Sequence, residues 1–193
     1  SNTDSLTVTI VDPVFANAGP DMAVCDIDTT LTVSDFTPTN GQWIDNSIDS
    51  NYNLDVSDLG PGIYPYIFTY GEETCFTEDV MLLEIYERPN IYWDGPNVLC
   101  LYETGVFELT IEGGTGPYFI EWLTEMDNIS SDGYAAYNSW AEIGTHQVEI
   151  FVTDFNGCAE YLSFDVFIND LPEVSAGSDT TFCNQNNVIG QLE

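Results

Sequence analysis

The stretch from Gly144 to Cys158, G-T-H-Q-V-E-I-F-V-T-D-F-N-G-C, decides how the rest of the chain is read. Val148, Ile150 and Val152 alternate with Gln147, Glu149 and Thr153, the period of a half-buried β-strand. Asn156-Gly157 supplies the positive φ angles that predict a tight type I′ hairpin. Cys158 then opens a return strand in which Phe164, Val166 and Ile168 alternate in turn.

The same pattern occurs upstream. From Gly62 the chain reads G-I-Y-P-Y-I-F-T-Y-G-E-E-T-C, with Tyr64, Tyr66, Phe68 and Tyr70 on one face, and Met81, Leu83 and Ile85 follow Cys75. Cys75 to Cys158 is 158 − 75 = 83 positions, and Met81 to Phe164 is also 83. Leu6, Val8 and Ile10 stand 75 positions before Met81, Leu83 and Ile85. Ala18-Gly19-Pro20-Asp21 leading to Cys25 returns as Ala176-Gly177-Ser178-Asp179 leading to Cys183. Self-similarity at this period marks a tandem array. Residues 1–15 are expected to be the last strand of a preceding repeat plus a linker, 16–89 and 90–172 two repeats, and 173–193 the start of another.

Repeats of this length bury only about 60% of their unfolded surface and need staples. The five cysteines divide into two pairs at equivalent places, Cys25 with Cys75 and Cys100 with Cys158, leaving Cys183 without a partner in the chain. Closing a loop of some fifty residues stabilises by about 4 kcal/mol in the chain-entropy model. The alternative is five buried thiols. Regular placement favours oxidation and so an extracellular compartment, and no C-x-x-C pair offers a zinc site.

Thirty-three acidic residues face one basic residue, Arg88, for a net charge of −32. That excludes nucleic acid as a partner, because nothing neutralises phosphates, and it opposes charge-driven adhesion to anionic lipid. No apolar run is long enough to insert in a membrane as a helix. Self-repulsion on this scale favours high salt or divalent counter-ions.

No segment shows a helical stripe. Leu31 and Val33, then Gly41-Gln42-Trp43, mark early strands of the first repeat. In the second, Val106, Leu109 and Ile111 predict a strand, and Gly113 to Pro117 a turn. Tyr118, Ile120 and Trp122 share the next face, while 126–138 reads as a polar insertion without a counterpart in the first repeat. Short strands punctuated by Gly, Pro, Asn and Asp predict an all-β fold of tandem antiparallel sandwiches with one disulfide per repeat. Pro89 and Pro172 each follow an exit strand and are expected to stiffen the linkers.

G-G-T-G-P-Y-F-I-E-W at 113–122 and V-T-D-F-N-G-C at 152–158 resemble the SprB-type repeat of gliding bacteria. A-G-P-D before Cys25 and G-P-G-I-Y before Cys75 are similar to the related PKD-like or Ig-like repeats. Gly71-Glu72-Glu73-Thr74 departs by replacing the D-x-N-G turn, and His146 stands where these repeats commonly have tyrosine. The resemblance implies a large cell-surface adhesin exported by the type IX secretion system, serving gliding or attachment.

His146 is the sole histidine, and its phase on the strand makes it a packing residue rather than a base. Asp154 reads as an Asx residue accepting N–H bonds within its own turn. No nucleophile motif or phosphate loop is present, so the chain reads as a non-enzyme that requires no cofactor. Calcium is the one ion its composition suits, through Asp21, Asp26 and Asp28 near one domain end and Glu87, Asp94, Asp170 and Glu173 at the junctions. Tyr134, Tyr137 and Trp140 could stack on sugar rings, which would make surface polysaccharide a partner alongside the neighbouring repeats. Ser5, Thr29 and Thr180 lie in patterns similar to the O-glycosylation sequon of that bacterial group, and Asn128-Ile129-Ser130 matches the N-glycosylation pattern. The leading reading is a structural stalk segment, and the alternative is a carbohydrate-binding module.

Overall fold

The computed structural model describes residues 4, 6–8, 10, 12, 14–26, 30–44, 47–71 and 75–179. Ser5, Asp28, Thr29, Thr180 and Cys183 lie outside the described residues. All regular structure among those described is β-strand, and no helix is long and apolar enough to cross a membrane.

The first unit contains β1 (Met22–Cys25), β2 (Thr30–Thr32), β3 (Gln42–Trp43), β4 (Asn53–Asp55), β5 (Gly62–Tyr70) and β6 (Thr77–Tyr86). The second contains β7 (Pro89–Asp94), β8 (Val98–Cys100), β9 (Thr104–Gly113), β10 (Phe119–Trp122), β11 (Asn128–Ile129), β12 (Ala135–Ser139), β13 (Gly144–Thr153) and β14 (Ala159–Asn169). Its strands form two sheets, ordered β10-β13-β14-β8 and β11-β12-β9-β7, the arrangement of an immunoglobulin-type sandwich. The first unit repeats it with fewer strands, as β1-β6-β5-β3 and β2-β4. In each unit the last strand pairs in parallel with a short early strand, β6 with β1 and β14 with β8.

Each unit has its own interior. Val33, Leu54, Tyr66, Phe68, Met81, Leu83 and Ile85 bury together in the first. Phe107, Val148, Ile150, Val152, Val166 and Ile168 do so in the second. The inward residues of β13 and β14 are those that the period-two pattern selects. In β9 Leu109 and Ile111 face inward as expected, but the third inward residue is Phe107 and not Val106, which is 40% exposed. The large ring of Phe107 fills the centre of the sandwich, against Trp93, Trp140 and Phe164.

Three other expectations are corrected. The stretch 126–138 is not a free insertion, because β11 and most of β12 lie within it and β12 pairs with β9 as β4 pairs with β2. The 154–157 turn is not type I′: Gly157 has φ 85° but Asn156 is not among the positive-φ residues. Gly157 N donates to Asp154 O and Asp154 N to Cys158 O, which is a longer loop with glycine at its left-handed position.

The third correction concerns the disulfides. The sequence pairing Cys25–Cys75 and Cys100–Cys158 is not what forms. Cys25 bonds Cys158 across the two units, with a Cα–Cα distance of 5.5 Å and a sequence separation of 133, while Cys75 and Cys100 are exposed and unbonded. Cys25 lies opposite Tyr86 at the end of β6, whereas Cys75 precedes its start at Thr77. Nine strand steps put them about 30 Å apart, against the roughly 4.4–6.8 Å a disulfide spans. Cys100 lies opposite Asn169 at the end of β14, and Cys158 immediately precedes its start. A bridge inside either unit is geometrically closed off.

Trp43 sits opposite Phe68 and Trp122 opposite Ile150, the same place in the two sheets. Trp122 Nε1 donates to Gly133 O at 2.9 Å, but Trp43 Nε1 is buried without a partner. Replacing each by phenylalanine removes similar volume, but only Trp122→Phe also orphans a carbonyl. Trp122→Phe should therefore destabilise its unit by about 1–2 kcal/mol more than Trp43→Phe destabilises the other. Amide hydrogen exchange in β13 and β5 measures the two units separately, and equal losses would contradict this account.

Candidate functional site

The residues that carry structural work beyond the two cores gather where the units meet. Only Glu87 and Arg88 separate the end of β6 from the start of β7. Pro89 is not in a linker, as the sequence suggests, but is the buried first residue of β7, paired with Gly113.

Gly113 and Gly114 have φ of 70° and 63°, a region that favours glycine. A Cβ on Gly113 would lie 2.9 Å from Glu87 Oε1, and one on Gly114 would lie 3.0 Å from Pro89 N. The turn therefore passes directly over the two-residue connection. Its position is fixed by Asp154, which is 6% exposed. One carboxylate oxygen of Asp154 accepts the Thr115 N–H at 2.8 Å, and the other accepts the N–H groups of Asn156 and Cys158 at 2.9 and 2.8 Å. Asn156 Nδ2 also donates to Thr115 Oγ1. The two stretches that carry the family resemblance, 113–122 and 152–158, thus meet through their turns at the junction.

The disulfide completes the arrangement. Cys25 ends β1, and the Asp26 N–H donates to Tyr86 O at 2.6 Å. That brings the sulfur to the point where the chain leaves the first unit. Cys158, fully buried, comes from the turn that Asp154 organises. Arg88 lies 3.6 Å from Glu160, with the two side chains 44% and 36% exposed, an ion pair of at most about 1 kcal/mol at such exposure. The bridge closes a far longer loop and contributes about 5 kcal/mol in the chain-entropy model.

Among the described residues, the carboxylates nominated for calcium are not brought together. Asp21 accepts the Leu82 N–H at 2.9 Å. Glu87 lies against Gly113, Asp170 accepts from Leu171 N, and Glu173 is exposed. Among the described residues no three acidic, histidine or cysteine side chains form a group suited to a metal ion. Asp94 instead lines an open groove of about 440 Å³ with Glu108, Thr110, Ser130, Asp132 and Tyr134. The Ser130 hydroxyl, and then the Tyr134 N–H, hold the Asp132 carboxyl below its ordinary pKa. Glu108 and Asp132 escape a sequence reading because only the β9–β12 pairing brings their segments together.

The three aromatics do not form one platform. Tyr134 and Trp140 pack on the second core, and only Tyr137 faces outward, 36% exposed. The His146 ring lies tilted against Trp140 with centroids 5.5 Å apart, and its Nε2 lies 2.9 Å from Glu142 O, a packing role. Asn128 lies exposed on the edge strand β11.

No family model matches the chain and no curated protein matches it. Among solved structures, the eight N-terminal Ig domains of Down syndrome cell adhesion molecule isoform 1.30.30 superpose with a TM-score of 0.55 at 11% identity, covering 81% of this chain and 24% of that one. Extracellular domains 3–5 of Drosophila OTK give 0.45 at 12% identity, covering 79% and 60%. The chain thus spans about a quarter of the first of these. The likeness is one of fold, to tandem Ig-like ectodomains of an adhesion molecule.

Proposed function

We propose that this chain is a non-catalytic stalk segment of an extracellular adhesin or surface filament of the SprB type, exported by type IX secretion and serving cell attachment or gliding. The observation that carries this reading is the covalent clamp between two sandwiches that keep separate cores. Such an arrangement fixes the angle between successive modules.

The repeat boundaries read from the sequence are part of this proposal. Leu6, Val8 and Ile10 are 90%, 74% and 91% exposed and belong to no strand of this chain. Alternating apolar residues with nothing to cover them are what an exit strand presents without the sheet of its own repeat. In such arrays each module mainly contacts its neighbours.

A second reading, carbohydrate binding, draws on the groove lined by Asp94, Glu108, Asp132 and Tyr134. Carboxylates there could accept sugar hydroxyls. Retention on a surface polysaccharide that is lost in Tyr134→Ala would favour it over a spacer role. Calcium enters as a diffuse counter-ion to the net charge of −32.

The stalk reading makes two measurable predictions. Pulled from its ends, the chain transmits force through the Cys25–Cys158 bond, so the 133 residue steps between them are shielded. Single-molecule stretching should release about 450 Å more length once the bond is reduced; equal lengths under both conditions would rule out the clamp as a force path. The melting temperature should also rise as NaCl is raised from about 10 mM to about 1 M, because screening relieves self-repulsion. CaCl2 at matched ionic strength should add little, and a much larger rise would point to a chelating site.

A further inference from the structure

The four described cysteines fall into two kinds. Cys25 and Cys100 each end the strand that runs parallel to the last strand of their unit, opposite Tyr86 and Asn169. The spacing 169 − 86 = 83 is also the spacing 158 − 75 = 83 of the other two. The backbone agrees: Asp26 N donates to Tyr86 O, and Leu101 N to Asn169 O. Cys75 and Cys158 are hairpin cysteines, each just ahead of that last strand. The observed bond joins a strand cysteine to the hairpin cysteine of the next unit. One cysteine of each kind remains, exposed and unbonded. Cys75 lies at the end of the first unit away from the junction, and Cys100 at the end of the second unit away from it.

We propose that Cys75 and Cys100 are the open halves of this same bond. The strand cysteine of every repeat pairs with the hairpin cysteine of the repeat that follows, so the free ends of this chain accept another copy of the repeat at either side. A lone exposed thiol would not support this. The support is that the equivalent positions are already bonded to one another at the junction inside this chain. Two thiols lose two protons and two electrons as each bond forms. A disulfide oxidant such as oxidised glutathione takes both and leaves as two molecules of glutathione, by two successive thiol–disulfide exchanges.

The inference rests on the tandem-stalk reading for the identity of the partner in place, but its pairing rule can be tested with this chain alone. The chain carrying Cys183→Ser, to remove the additional thiol, is concentrated in a glutathione redox buffer and resolved on non-reducing gels, with peptide mass mapping of the linked sulfurs. A series of head-to-tail oligomers joined by Cys75–Cys100 is expected, with Cys25–Cys158 intact in every member. Adding Cys75→Ser or Cys100→Ser should remove every species larger than the monomer, and mixing those two variants should restore a dimer alone. Failure to cross-link, links of Cys75 to Cys75 or Cys100 to Cys100, or exchange to Cys25–Cys75 would each overturn the rule. The stretching measurement, which depends only on Cys25–Cys158, would stand or fall separately.

Discussion

The parallel pairing of β1 on β6 and of β8 on β14 is the constraint from which the rest follows. It carries the first cysteine of each unit to the end where the chain leaves. The hairpin before the last strand necessarily lies at the opposite end, where the chain enters. Strand rise then separates the two cysteines of one unit by far more than a disulfide can span. A sulfur bridge in this topology can only join one unit to another.

At the junction the chain also works against its own charge. With a net charge of −32, neighbouring surfaces repel, and the sole Arg88 stands at the contact, beside Glu160. Its exposed ion pair is too weak to hold the joint. Asp154 does more, because burying its carboxylate beneath three backbone N–H groups ties the 113–116 turn to the hairpin that carries Cys158. The glycines complete the fit by leaving no Cβ between that turn and residues 87–89. Attraction at the joint is local and short-ranged, from hydrogen bonds, close packing and one covalent bond, while repulsion is spread over the surface and screened by salt.

Much of this was legible in the sequence, and what was not has a common cause. Alternation located β5, β6, β13 and β14, whose inward residues Phe68, Met81, Val148 and Ile168 are almost wholly buried. Equal spacing identified equivalent cysteines correctly. It does not say which end of a sandwich each occupies, since that depends on strand direction, and so spacing alone pairs them within repeats. In β9 alternation places Leu109 and Ile111 but not the residue before them, because Val106 and Phe107 are both apolar and only packing chooses between them. Polar 126–138 read as a loop because β12 has just Ala136 and Asn138 facing inward, a pattern with little apolar signal. Asp154 was legible as a turn residue; its bond to Thr115, thirty-nine positions away, was not.

Placing the bridge between units rather than within them changes what it stabilises. A bond from Cys25 to Cys75 would close 75 − 25 = 50 positions, whereas Cys25 to Cys158 closes 133. Loop entropy grows only logarithmically, so the longer loop adds about 1 kcal/mol. The larger consequence is mechanical. A bridge inside each unit would leave the joint to a two-residue connection and an exposed ion pair, free to bend. The bridge across the joint removes that freedom and leaves each sandwich to its own aromatic core for stability, where Phe36, Trp43 and Phe68 cluster in the first unit and Trp93, Phe107 and Phe164 in the second. Cys100 lies inside the loop that Cys25 and Cys158 close, so any bond it makes to a later repeat starts a second loop before the first has ended. Overlapping loops of that kind would leave no joint along a rod able to open by unravelling one module alone.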